Sequence, residues 1–120
     1  MKQKLISVLE TFGYPVMLQG SLNHDEAYPD TFITFWTNAT EDSLHLDNDV
    51  RSIEWSFSVI LYSNNPTLVN TKPREILAVM KSAGFIPQGI GNDIPSDEPT
   101  HTGWAMEFIA SETINKGEET

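Results

Sequence analysis

Three histidines, His24, His45 and His101, offer the most chemistry in this sequence, and each stands among acids. Asp25 and Glu26 follow the first, Asp42, Asp47 and Asp49 surround the second, and Asp97 and Glu98 precede the third. Imidazole and carboxylate are ligands for zinc or non-haem iron. The spacing points elsewhere. No His-x-x-x-His or comparable pair puts two imidazoles on one face of one element, and every histidine falls in a predicted loop or at a strand start, where solvation is the expectation. His45-Leu46-Asp47-Asn48-Asp49 lacks the glycine and the terminal glutamate of a calcium loop.

Other reaction chemistries are as weakly marked. There is no cysteine, hence no thiolate nucleophile, disulfide framework or Cys-ligated zinc. No Gly-x-Ser-x-Gly elbow occurs. Gly89-Ile90-Gly91-Asn92-Asp93 is glycine-rich, but it follows a strand, opens no helix and precedes no phosphate-binding lysine. Asp93, Asp97 and Glu98 could be imagined as a glycosidase pair, although neighbouring loop acids are ordinarily just hydrated. Trp36, Trp55 and Trp104 read as core residues ahead of a ligand pocket. The expectation is a chain with no catalytic residues, no cofactor and no metal.

The totals narrow the class of partner. The 120 residues make one domain by size, and the formal net charge is -10 with only seven basic residues. Phosphate binding needs clustered Lys and Arg, so neither nucleic acid nor an anionic membrane surface is an expected partner. The N-terminus lacks a long apolar region and a small-residue cleavage site, and no stretch approaches the ~18 apolar residues of a membrane span. A soluble protein of a reducing compartment is expected.

The elements that position these residues follow from periodicity. Leu5, Val8, Leu9 and Phe12 mark one face of a helix from about Lys2 to Phe12, stopped by Gly13. Val16-Met17-Leu18 is a short strand, Asn23 to Asp30 a loop, and Thr31 to Thr37 a β-branched and aromatic strand. Asn38 to Asp49 is a polar, acidic excursion with Leu44 and Leu46 tacking it down. Arg51 to Tyr62 alternates between Ile53, Trp55, Phe57, Val59 and Leu61 on one face and serines and Glu54 between them, a long strand with an apolar and a wet face. Asn65-Pro66 begins a short helical turn to about Val69. A proper helix starts near Lys72, because Pro73 suits only a first turn. Its stripe is Ile76, Val79, Met80 and Ala83 beside Leu77, with Gly84 at C′ and Phe85 packing on Met80. Phe85-Ile86-Pro87 is extended, Gln88 to Thr100 a long loop, and His101 to Ser111 a strand pairing antiparallel with the long one.

The fold class expected is therefore α+β: an antiparallel β-sheet with an N-terminal helix and a second helix packed on one face. Residues 1–111 form a single domain, and residues 112–120 form a flexible acidic tail. Ile33, Phe35, Ile60, Tyr62 and Ile109 carry apolar bulk toward the sheet's second face, more than two helices would cover, and an exposed apolar patch suggests a subunit interface. Open sheet edges add a second route to pairing.

The order of elements resembles the tail-terminator and head–tail joining proteins of tailed bacteriophages. The residues carrying the likeness are Ile76-Leu77-Ala78-Val79-Met80-Lys81-Ser82-Ala83-Gly84-Phe85, then Gly91-Asn92-Asp93, then His101-Thr102-Gly103-Trp104-Ala105-Met106-Glu107-Phe108. The resemblance implies a non-enzymatic structural protein of a phage or prophage. It would form a ring, usually of six copies, that caps the tail tube and meets the head connector, in the virion or in the host cytoplasm during assembly. The partners implied are further copies of the chain and tail-tube or head-connector proteins. The loops Asn38–Asp49 and Gln88–Thr100 would reach those neighbours, which brings Asp47, Asp49, Asp93 and Asp97 into the expected interface. Two other classes stay open: a small acidic protein-binding module, and a small-ligand enzyme.

Overall fold

The computed structural model describes residues 1–18, 28–44, 50–96 and 99–115. Three fourteen-residue strands dominate it: β2 (Thr31–Leu44), β3 (Val50–Ser63) and β6 (Thr102–Asn115). The β2–β3 ladder is antiparallel and runs from Thr31↔Ser63 to Leu44↔Arg51, with a bulge between Thr37 and Ala39. The β3–β6 ladder is antiparallel and unbroken from Ser63↔Thr102 to Val50↔Asn115. Short strands trim the outer edges. β1 (Val16–Leu18) joins β2 in parallel at Ile33 to Phe35. β4 (Ile86–Pro87) and β5 (Asn92–Pro95) both pair with the other edge of β6. The sheet is thus mixed, antiparallel except at β1, and the class is α+β as expected.

One face of the sheet is covered by α1 (Lys2–Glu10) and α2 (Pro66–Ser82). Leu5 and Leu9 of α1 and Ile76 and Met80 of α2 meet Ile33, Phe35, Phe57, Val59, Leu61, Met106 and Phe108 of the sheet in one buried cluster. Each large aliphatic residue sealed there is worth about 1.5–3 kcal/mol relative to exposure. The end of α2 follows its sequence signature. Gly84 sits at φ 96°, the Phe85 amide donates to the Met80 carbonyl at 2.9 Å and the Gly84 amide to Lys81 at 3.1 Å. Those are the two bonds of a Schellman ending, and Phe85 and Met80 are both fully buried beside it.

Several boundaries differ from expectation for identifiable reasons. α1 ends two residues early, at Glu10, with Thr11 as its cap. α2 is one helix: Asn65 caps it through Oδ1 to the Thr67 and Leu68 amides, Pro66 fills the first turn, and Pro73 lies inside and buried. Burial against the core outweighs the one backbone bond that Pro73 removes. The helix stripe is accordingly Val69, Pro73, Ile76 and Met80, while Val79 is 36% exposed. β2 runs on from Thr37 to Leu44 through the expected excursion, and β5 occupies part of the expected loop Gln88–Thr100. β6 continues to Asn115, so residues 112–115 belong to the sheet and not to a tail. In all three cases ladder pairing to a long neighbour compensates a polar sequence, because backbone bonds do not depend on side-chain hydropathy.

The three long strands give the molecule its shape. Fourteen residues at about 3.3 Å each span roughly 46 Å, and the longest dimension is 54 Å against 30 and 22 Å. The radius of gyration, 16.2 Å, exceeds the roughly 14 Å of an ordinary domain of this size. The helix-covered core ends near Trp55 and Ala110, and the ribbon of β2, β3 and β6 continues past it.

Candidate assembly surface

The second face of the sheet divides into a sealed half and an open half. In the sealed half, Phe32, Ile60 and Tyr62 form their own buried cluster, with Met17, Tyr28, Trp36, Ile94 and Ala105 against it. Phe32 stacks on Tyr62 at 5.1 Å between centroids, and Tyr28 meets Phe32 edge-on at 5.5 Å. This overturns most of the expected apolar interface. Ile33 and Phe35 lie on the helix face, opposite Leu61 and Val59, and Ile60 and Tyr62 are covered from within the chain at 1% and 8% exposure. A strand alternates by two, so Ile33 and Phe35 cannot share a face with Phe32 once the register is fixed. Of the five, Ile109 alone remains half-exposed on the second face. Asp93 is exposed in β5 opposite Trp104. Asp47, Asp49 and Asp97 lie outside the described residues.

The open half is organised in rows across the strands. Ala39, Ser56, Ile109 and Ile86 are successive register partners from β2 to β4; Ile86 is 59% exposed. One step toward the core, Ser58 stands opposite Trp36 and Glu107, and its hydroxyl donates to Asn38 Oδ1 at 3.0 Å. One step outward, Glu41 stands opposite Glu54, which stands opposite Ser111. Glu41, Glu54 and Glu107 are all exposed. The arrangement is a narrow apolar row with carboxylates on both sides. Sequence reading missed Ile86, Glu41 and Glu107 as members. The signal for them was the period-two alternation itself, carried one turn of pleat past the apolar residues.

The ribbon also presents open edges. Among the described residues, β1 reaches only to Phe35 along β2, and β4 only to Ile109 along β6. The outer sides of Trp36–Leu44 and Ala110–Asn115 therefore carry no strand partner among the described residues, and such a ladder can accept another strand.

The histidines separate as the structure is read. His101 is buried at 8% exposure rather than solvated. Its Nε2 donates to the Pro29 carbonyl at 2.8 Å, and Nδ1 is 2.9 Å from the Thr100 hydroxyl. Both nitrogens are thereby engaged, and the Nε2 bond fastens the Tyr28–Asp30 segment to the start of β6. His24 and His45 lie outside the described residues. Among the described residues no three His, Asp or Glu side chains converge as a ligand set. Of the three tryptophans, Trp55 and Trp104 border the main core and Trp36 the second cluster. Trp104 donates from Nε1 to the Ile90 carbonyl at 3.0 Å. Among the described residues no helix is long and apolar enough to cross a membrane.

The sequence matches no protein-family model and none of the curated proteins compared with it.

Proposed function

We propose that the chain is a non-enzymatic assembly subunit whose open ribbon half is covered by other protein in its working state. The observation that carries this reading is the continuation of β2, β3 and β6 beyond the helix-covered core, with two edges that carry no strand partner among the described residues and an Ala39–Ser56–Ile109–Ile86 row exposed at its ends and half-buried between. A ribbon of that length, uncovered, exposes backbone and apolar groups that a partner would bury. Through the resemblance of the α2–Phe85 and His101–Phe108 segments, the particular assembly proposed is the ring at the tail end or head–tail junction of a tailed phage or prophage particle. Its partners there are further copies of the chain and tail-tube or head-connector proteins. Sedimentation velocity across a concentration series, with electron microscopy of the concentrated protein, tests it: closed rings are the expected particles, and a monomer at every concentration, alone and mixed with tail-tube protein, contradicts it.

A second reading has a specific observation behind it. Two glutamates placed directly opposite one another at Glu41 and Glu54 destabilise the free chain and suit a basic partner. An acidic binding module would form a heterocomplex that dissociates steeply with salt.

A further inference from the structure

The two helices and the open half of the sheet carry opposite charge. The two helices carry Lys2, Lys4, Lys72, Arg74 and Lys81 against Glu10 and Glu75, a net of +3. The whole chain is -10, so the rest carries -13. Lys72 and Glu75 neutralise each other at 2.8 Å. Lys2, Lys4, Arg74 and Lys81 are exposed on elements whose opposite sides line the core, so they point away from the sheet. On the far side, the open half presents Glu41, Glu54 and Glu107 and no basic residue among its row partners.

The spacing of the two surfaces corresponds as well. On α2, Arg74, Ala78 and Lys81 recur at i, i+4 and i+7, one exposed helical stripe. Its two cations are about 10 Å apart along the axis at 1.5 Å per residue. On the sheet, the Glu107 row and the Glu41–Glu54 row are four β3 residues apart, Ser58 to Glu54, or about 13 Å. Ile109 and Ile86 lie between them, as Ala78 lies between the cations. Long flexible Arg and Lys side chains span the remaining difference.

We infer that the outer face of α2 in one copy docks on the open sheet half of a second copy, with Arg74 and Lys81 against the Glu41–Glu54 and Glu107 rows and Ala78 against Ile86 and Ile109. This rests on the assembly reading and names its partner as the chain itself. The two surfaces are on opposite sides of the molecule, so the contact is head-to-tail, and its repetition closes a ring or extends a filament according to the rotation between copies.

Two charge-reversed proteins test it: one with Glu54→Lys and Glu107→Lys, the other with Arg74→Glu and Lys81→Glu. All four positions are exposed, and circular dichroism serves as the folding control. In sedimentation at low salt, the original protein is expected to self-associate, each variant to lose at least tenfold in association constant, and an equimolar mixture of the two to recover it. Association that is unchanged in both variants overturns this docking and leaves the assembly reading standing. A protein that stays monomeric at every concentration and salt overturns this docking, and the assembly reading falls with it when the protein stays monomeric with tail-tube protein as well.

Discussion

Glu41 and Glu54 face each other directly across the antiparallel β2–β3 ladder, both exposed, on the face of the sheet that the helices do not cover. Like charges in register repel, and cross-strand pairs of this kind change stability by about 0.2–1 kcal/mol. Replacing Glu54 with Thr is expected to raise the unfolding free energy of the free chain by an amount in that range, read as a higher urea midpoint. The same replacement weakens self-association if the carboxylate is used there. A lower midpoint would mean that the pair is not strained in the isolated protein.

Glu112 links three parts of the molecule at the end of the core. Its Oε1 accepts from Trp55 Nε1 at 3.3 Å, and its Oε2 lies 3.4 Å from the Met1 ammonium. Trp55 in turn stacks on Phe57 with centroids 5.6 Å apart. Glu112→Ala leaves the indole N–H without this partner and frees the start of α1. With the carboxylate one-third exposed, the expected loss is about 1 kcal/mol, read by urea titration. Tryptophan emission is expected to shift to the red, and an unshifted spectrum would argue that the bond does not hold Trp55.

Among the described glycines, Gly91 is the one least able to accept a side chain. It sits at φ 109°, and a Cβ there would run into the Trp104 indole and the Ala105 carbonyl. Gly91→Ala combines a disfavoured backbone conformation with a steric displacement of β5, and is expected to cost at least roughly 2 kcal/mol. Thermal unfolding measures it. A variant as stable as the original would show that this loop can take another path.

Lys72 ties α2 to the turn after α1. Its ammonium lies 5.7 Å from the ring centres of both Phe12 and Tyr14. The side-chain hydrogen bond to Glu75 raises its pKa above the ordinary lysine value, with the charge of Tyr14 adding in the same direction. A raised value in the folded state means that the charged lysine stabilises the fold fully below the unfolded value of about 10.4, and that this contribution disappears as pH climbs through the folded value. Lys72→Met is therefore expected to be less stable than the original protein at pH 7 and to converge with it as pH climbs past the raised folded value. A gap that persists at high pH would assign the effect to packing of the stem.

The strongest local signals were read correctly from sequence: Val16–Leu18 as a strand, the Gly84–Phe85 helix stop, a helix start at Asn65–Pro66 and the alternation of β3 and β6. These depend on contacts within a few residues. The candidate surface was less legible. Ile33, Phe35, Ile60 and Tyr62 looked like surplus apolar area because sequence shows bulk on both faces of a strand. It does not show that Tyr28, Met17 and Ile94, from three separate segments, close over the second face. His101 was expected in water for the same reason, since the Pro29 carbonyl it holds is 72 residues away. Pro73 was given a first turn because the local cost of proline in a helix was visible and the burial that offsets it was not.

The amino-acid order alone determined the class of fold, the Gly84–Phe85 end of α2 and the face each strand residue takes relative to its neighbours, since these follow from backbone sterics and side-chain period. Only the tertiary structure decided how far the strands run, which half of the second face stays open, and that Glu41, Glu54 and Glu107 gather on it while the basic residues gather on the helices. Ladder length and register come from pairing between segments distant in the chain. The free energy of that pairing belongs to both partners at once, so neither segment reveals it by itself.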